Sequence, residues 1–187
     1  MTTSSVHELT DILSKSKTTI IDTWFKRIIG TYPEDSQRYF LSEKDDFANP
    51  VGSSISHGMN TLFDALCSGA ELNSEDIYSF LDRIIRVRAV QDFSPAQAVA
   101  FVFTFKEIVR ETLGRELQRP EILRQLLTFE SRVDTVALLA FNNFMQCREK
   151  IYELRAKEIR DRTSRIVQRA CQILGSGREA LEDAPSD

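Results

Sequence analysis

Glycine and proline are scarce, 7 and 5 in 187 residues. An all-β fold places these two residue types in its many turns, so their shortage points to an all-α protein. Cysteine is scarcer still. Cys67, Cys147 and Cys171 are odd in number and far apart, and none of them makes a C-x-x-C pair; a disulfide framework or a cysteine-based zinc site is excluded. The only histidines are His7 and His57. A haem iron would need a histidine in the middle helices, and none follows His57, so no haem is expected. No apolar run approaches the roughly 20 residues that cross a bilayer. Met1-Thr-Thr-Ser-Ser lacks a basic start followed by an apolar segment, and the expected address is the cytoplasm. Positive charge is not in excess either: the net charge is -4, which argues against general nucleic-acid affinity and leaves only local basic patches. G-x-S-x-G, P-loop, H-E-x-x-H and E-x-x-H patterns are all absent. The expectation is a protein that is not an enzyme and has no cofactor and no metal. Glu43, Asp45 and Asp46 beside Lys44 read as a solvated loop rather than a metal site.

What is present is helical periodicity. Hydrophobic residues make up 42% and charged residues 28%, ordinary for one buried core with an extension. Ser5-Val6-His7-Glu8 has the form of a capping box, after which Leu9, Leu13, Ile20, Trp24 and Ile28 recur at helical spacing until Gly30 and Pro33. A short helix is expected over about 35–42. Asn49-Pro50 supplies a cap and a first-turn proline for a helix carrying Ile55, Met59, Leu62 and Leu66, ended by Gly69. Gly52 in its first turn is a place where a neighbouring helix could come close. Ser74 opens a helix with Ile77, Leu81, Ile84 and Ile85 inward, and Ser94-Pro95 opens the next. In that helix Phe101, Phe103 and Phe105 fall on more than one face, the pattern of a central core helix. The same aromatics could line a pocket for a small apolar ligand, and core filling is the simpler reading.

After Pro120 the stripe Ile122, Leu126, Phe129, Val133, Val136, Ala140 and Phe144 keeps steps of three and four, and no glycine or proline follows until Gly175. One helix could run from about residue 121 to 174, roughly 80 Å at about 1.5 Å per residue. Such a rod must leave the globule. From Arg148 to Arg169 it holds eight Lys or Arg against four Glu or Asp. The face chosen as a partner or dimer surface comprises Phe144, Ile151, Leu154, Ile159, Arg162, Ile166 and Ile173; Ile159, Ile166 and Ile173 are spaced by seven, and Arg148, Arg155, Arg162 and Arg169 form a second seven-residue lattice. Paired helices could bury the isoleucines while the arginines flank the seam and seek acidic partners. A solvated, frayed tail is the alternative.

Asp46-Phe47-Ala48-Asn49-Pro50-Val51-Gly52, the Trp24 helix ending near Tyr32-Pro33, and Arg86-Val87-Arg88-Ala89-Val90-Gln91-Asp92-Phe93-Ser94-Pro95-Ala96-Gln97-Ala98 carry a family resemblance. Over about residues 9–154 the chain resembles the N-terminal domain of RsbR/RsbRD-type stressosome co-antagonist proteins. The resemblance implies a non-haem globin-like helical bundle with a long protruding C-terminal helix, a homodimer, and a bacterial stress-signalling role in which that helix leads to a phosphorylated STAS domain. After Leu174 the sequence holds Gly175-Ser-Gly and an acidic tail, so a module without a STAS output is expected, either free-standing or cut at the linker. The expected division is 5–145 for the sensor and dimerisation domain, 146–174 for a linker or coiled-coil helix, and 175–187 for an acidic disordered tail.

Two functions of different class are compatible with these features. One is a non-catalytic sensory and dimerisation module acting on a signalling partner; the other is an adaptor whose Arg-rich helix binds an acidic protein surface. Among individual residues, Arg86, Arg88 and Asp92 could pair with one another around the turn into Ser94-Pro95, or the two arginines could hold an anion at that helix start. Asn49, Pro50, Gly52, Ser94 and Pro95 have structural roles as helix starts. His57 lies off the apolar stripe and reads as a surface residue, and Cys171 is the candidate reactive thiol.

Overall fold

The computed structural model describes residues 8–34, 37–38, 50–72, 75–91 and 93–182, with side chains for all of these except 50–54 and 173–182. Among them there is no strand. The chain divides into two compact units, Met1–Cys147 and Arg148–Asp187.

Among its described residues the first unit holds six α-helices, the last of which extends beyond it, and the short helix expected over about 35–42 lies largely outside the described residues. Helix α1 spans Glu8–Lys15 and α2 spans Lys17–Ile29. The periodicity predicted one helix here, and the chain breaks at Ser16, whose N–H turns back to the Leu13 carbonyl at 3.1 Å in a tight three-residue step. The reason lies in the stripe: between Leu13 and Ile20 every residue is Ser, Lys or Thr, so no burial holds that turn in register. Helix α3, Pro50–Ser68, stops at Gly69, which takes φ +73, a left-handed conformation suited to glycine. Helix α4 is Glu75–Val90 and α5 is Pro95–Leu113. The start of α5 is a capping box: the Gln97 N–H donates to Ser94 Oγ at 3.3 Å and the Ser94 N–H donates to Gln97 Oε1 at 3.0 Å. A 3-10 turn, Gly114–Gln118, leads to α6, Pro120–Glu182.

The core is aromatic at its centre. Trp24 is fully buried and its Nε1 donates to the Phe101 carbonyl at 2.7 Å, so the one polar atom of the ring is satisfied. Phe105 lies 4.5 Å from Trp24, 6.3 Å from Phe63 and 6.1 Å from Phe129 between ring centres, joining α2, α3, α5 and α6. Helices α3 and α4 meet where Gly58 faces Phe80: a Cβ on Gly58 would stand 2.3 Å from Phe80 Cβ. Phe103 departs from the expected central role. It is 46% exposed, because the core of α5 is complete with Phe101, Val102 and Phe105 on one side.

All seven predicted stripe residues of α6, Ile122 through Phe144, are buried. Across the α5–α6 contact, Arg110 donates to the buried carboxylate of Glu130 through Nε at 2.5 Å and Nη2 at 2.7 Å, and Lys106 pairs with Asp134 at 2.9 Å. Arg132 closes the end of α3 by donating to the carbonyls of Ala65, Gly69 and Ala70. In the second unit α6 continues as a single helix whose residues 152–172 are all exposed. Among the described residues no helix is long and apolar enough to cross a membrane.

Candidate functional site

Among the described residues Arg88 is the most deeply placed charge, with no exposed surface. Its position on α4 falls on the apolar stripe of Leu81, Ile84 and Ile85, so the helix carries the side chain inward with its neighbours. The guanidinium donates through Nη1 to the Gln97 carbonyl at 3.0 Å and the Ala98 carbonyl at 3.3 Å, and through Nη2 to Thr31 Oγ1 at 2.9 Å. It also lies over three rings, Tyr32, Phe93 and Phe101, at 5.4, 5.3 and 5.1 Å from their centres. Carbonyl oxygens and π faces take the place of a carboxylate in stabilising the buried cation. One side chain thereby ties the ends of α2 and α4 to the start of α5.

Arg86 is elsewhere. It is largely exposed and pairs with Asp82, one helical turn back, at 2.6 Å; the hydrogen bond to Asp82 raises the guanidinium pKa further above its ordinary value. Positions 86 and 88 are about 160° apart around a helix, so the two arginines neither share a partner nor form the anion site that was the alternative to their pairing. Asp92 lies outside the described residues. Ser94 and Pro95 do open α5 as predicted, and Pro50 is the first residue of α3. Asn49 lies outside the described residues, as do the side-chain surroundings of Gly52. A close helix approach that the sequence reading did not name is found at Gly58, and its signal was available: glycine stands inside the apolar stripe between Ile55 and Met59.

The remaining reactive side chains are plain in their settings. His57 is exposed on α3. Cys67 is half-buried beside a pocket of about 300 Å³ lined by Leu9, Leu66, Phe129 and Arg132. Burial, then the nearby Asp64, pushes its thiol up to about 11 while Lys17 opposes the shift. That thiol is neutral at physiological pH and a poor nucleophile. Cys171 is exposed and Cys147 half-buried. Residues 1–7, His7 among them, and the acids at 43, 45 and 46 lie outside the described residues.

The predicted partner face divides. Phe144 is only 1% exposed and belongs to the core of the first unit, a correction that follows from its place at the end of the Ile122 stripe. Leu154, Ile159 and Ile166 are 60 to 66% exposed, Ile151 is half-buried, Arg162 is exposed, and the side chain of Ile173 is not described. Leu154 is about 140° around the helix from Ile159, so it does not share the isoleucine seam, whereas Tyr152, seven residues before Ile159, does. Within the first unit α6 also exposes Leu138, Phe141 and Met145, spaced three and four apart on one face. Sequence periodicity concealed that row because the core stripe runs beside it.

The arrangement thus offers no assembled catalytic group among the described residues, and two apolar faces on its last helix. Residues 18–159 match the model of the RsbT co-antagonist protein rsbRD N-terminal domain. The chain belongs to this family. The RsbRD N-terminal domain region covers α2 to α5, with the Arg88 centre, and α6 as far as Ile159. A protein of Archaeoglobus fulgidus named only as uncharacterized is 25% identical over 140 residues, covering 74% of this chain and 82% of the relative. No solved structure matches the chain. Membership places the protein with regulatory domains of stressosome-related signalling.

Proposed function

We propose that this RsbRD N-terminal domain protein is a non-catalytic, homodimeric signalling module of the cytoplasm, in which the globular unit receives a signal and α6 passes it on. The observation that carries this reading is the composition of α6. One face of the helix, Ile122 to Phe144, is locked into the core. Beside it Leu138, Phe141 and Met145 lie exposed in a row, and apolar rows of this kind on a folded unit mark protein contacts. A second copy is the natural occupant, because the family resemblance implies a dimer and an isologous contact needs only one such face. A change of packing around Trp24 or Arg88 would shift the core side of α6 and with it everything further along the same helix. The globin-like character implied by the resemblance belongs to this proposal too.

Sedimentation velocity tests it. The full-length protein should sediment as a dimer, and the double variant Leu138→Asp, Met145→Asp should sediment as a folded monomer. A monomeric wild-type protein at micromolar concentration would overturn the dimer.

A further inference from the structure

We propose that the second unit's helix, on the face of Ile159 and Ile166 flanked by Arg155, Arg162 and Arg169, is a docking surface for an acidic amphipathic helix of a partner protein. The inference rests on the signalling module described above only in taking residues 148–172 as its outgoing contact.

The apolar half of the case is a seam with regular spacing. Positions 152, 156, 159, 163, 166 and 170 alternate steps of four and three, the spacing that keeps one face of a helix turned to a partner helix. Tyr152, Ile159 and Ile166 supply the large residues, and Ala156, Thr163 and Ala170 the small ones. The three large residues are 54, 66 and 62% exposed. Small residues on a seam let a partner backbone approach closely and leave holes for its larger side chains.

Charge then chooses the partner. In the first unit many of the basic residues have an acidic partner, among them Lys17 with Asp64, Arg27 with Glu111, Arg86 with Asp82, Lys106 with Asp134 and Arg110 with Glu130. Among the described residues of the second unit, Arg155, Arg162 and Arg169 have no ion pair. Glu158, a turn from Arg155 and Arg162, is the acid best placed to meet them, and it meets neither within ion-pair distance. These three lie seven apart, each three residues after a large seam residue, which puts them in one flanking column with Arg148.

A second copy of the helix fills that column poorly. In a parallel pair each flanking residue meets the partner's residue five positions on, so Arg148 meets Glu153, but Arg155 meets Arg160 and Arg162 meets Val167. In an antiparallel pair the arginine column faces itself. A foreign helix with Glu or Asp along its flank matches every arginine and is selected against the self-pair by that repulsion. A nucleic-acid backbone fits less well, because Glu149, Glu153, Glu158 and Asp161 are interleaved with the basic residues.

The test uses the full-length protein and three labelled probes followed by fluorescence anisotropy. One is a synthetic coiled-coil peptide with Ile and Leu at its seam and Glu in both flanking columns; the second replaces those Glu by Lys; the third is a short DNA duplex. The Glu peptide should bind, weakening about tenfold between about 50 and 500 mM NaCl as screening sets in, and the Lys peptide should bind at least tenfold more weakly. The double variant Arg155→Glu, Arg162→Glu should reverse the preference, with its helicity checked by circular dichroism. Equal binding of both peptides, binding of neither, or preference for the duplex overturns the proposal. Sedimentation of the unlabelled protein under the same conditions reads dimerisation separately, so loss of peptide binding with an intact dimer fails this inference alone.

Discussion

Arg88 sets the terms at the scale of single residues. A guanidinium with no exposed surface and neutral partners is stable because Gln97, Ala98, Thr31 and three rings together replace its hydration. Truncation in Arg88→Ala removes those hydrogen bonds and leaves a cavity among the rings. It should cost about 3 kcal/mol, read as a lowered urea midpoint at unchanged m. Arg88→Lys should recover less than half, since a single ammonium cannot span both the α5 carbonyls and Thr31; full recovery would show that charge alone matters there. Cys67 makes a prediction in pH. Its folded pKa, about 11, lies above the ordinary 9.0. The stability it contributes is therefore complete below pH 9 and disappears as pH rises toward 11, because the unfolded thiol ionises first. Cys67→Ala should flatten that part of the stability profile in denaturant titrations from pH 8 to 11. An identical profile in the variant would place the alkaline loss elsewhere.

Elements were legible where local chemistry decides them. Gly69 and the Ser94-Pro95 start are written in one or two adjacent residues, and the structure places a helix end at each; the α6 stripe is a plain periodicity, and all of it is buried. Features decided by a distant neighbour were not. The break at Ser16 is the exception, a local signal passed over, since no apolar residue bridges Leu13 and Ile20. The exposure of Phe103 depended on which side of α5 the other helices cover. Arg88 could be read as basic and near a turn, but its aromatic cage is assembled from residues on three segments. Gly58 is the sharpest case: it is a helix-interior glycine, unfavourable by propensity, and only Phe80 across the α3–α4 contact explains it. Gly58→Ala gains helix propensity yet inserts a methyl 2.3 Å from Phe80 Cβ. The clash should prevail, with a net loss of about 1–3 kcal/mol by chemical denaturation. A stabilised variant would mean that α3 and α4 can move apart freely. On the second unit's helix, Ile159→Asp should abolish binding of the Glu peptide whereas Leu154→Asp should leave it within about twofold, because the two positions lie about 140° apart.

At the scale of the whole molecule, stability and communication separate along α6. Every buried core residue identified lies at or before Phe144, and no residue from 152 to 172 is buried. Burial of apolar surface is the main stabilising term in folding, so the first unit contains the apparatus for its own cooperative unfolding. An isolated helix gains little from its backbone hydrogen bonds alone. Ending the chain after Cys147 should therefore leave the melting temperature within about 3 °C of the full-length value and keep a single transition. The exposed row of Leu138, Phe141 and Met145 survives this truncation, so the shortened protein should remain dimeric while losing all affinity for the Glu peptide. Calorimetry and sedimentation of the two lengths side by side decide the matter. A large drop in melting temperature would show that residues after Arg148 support the fold itself, and a monomeric shortened protein would move the self-contact from the globular unit to the arginine-flanked helix.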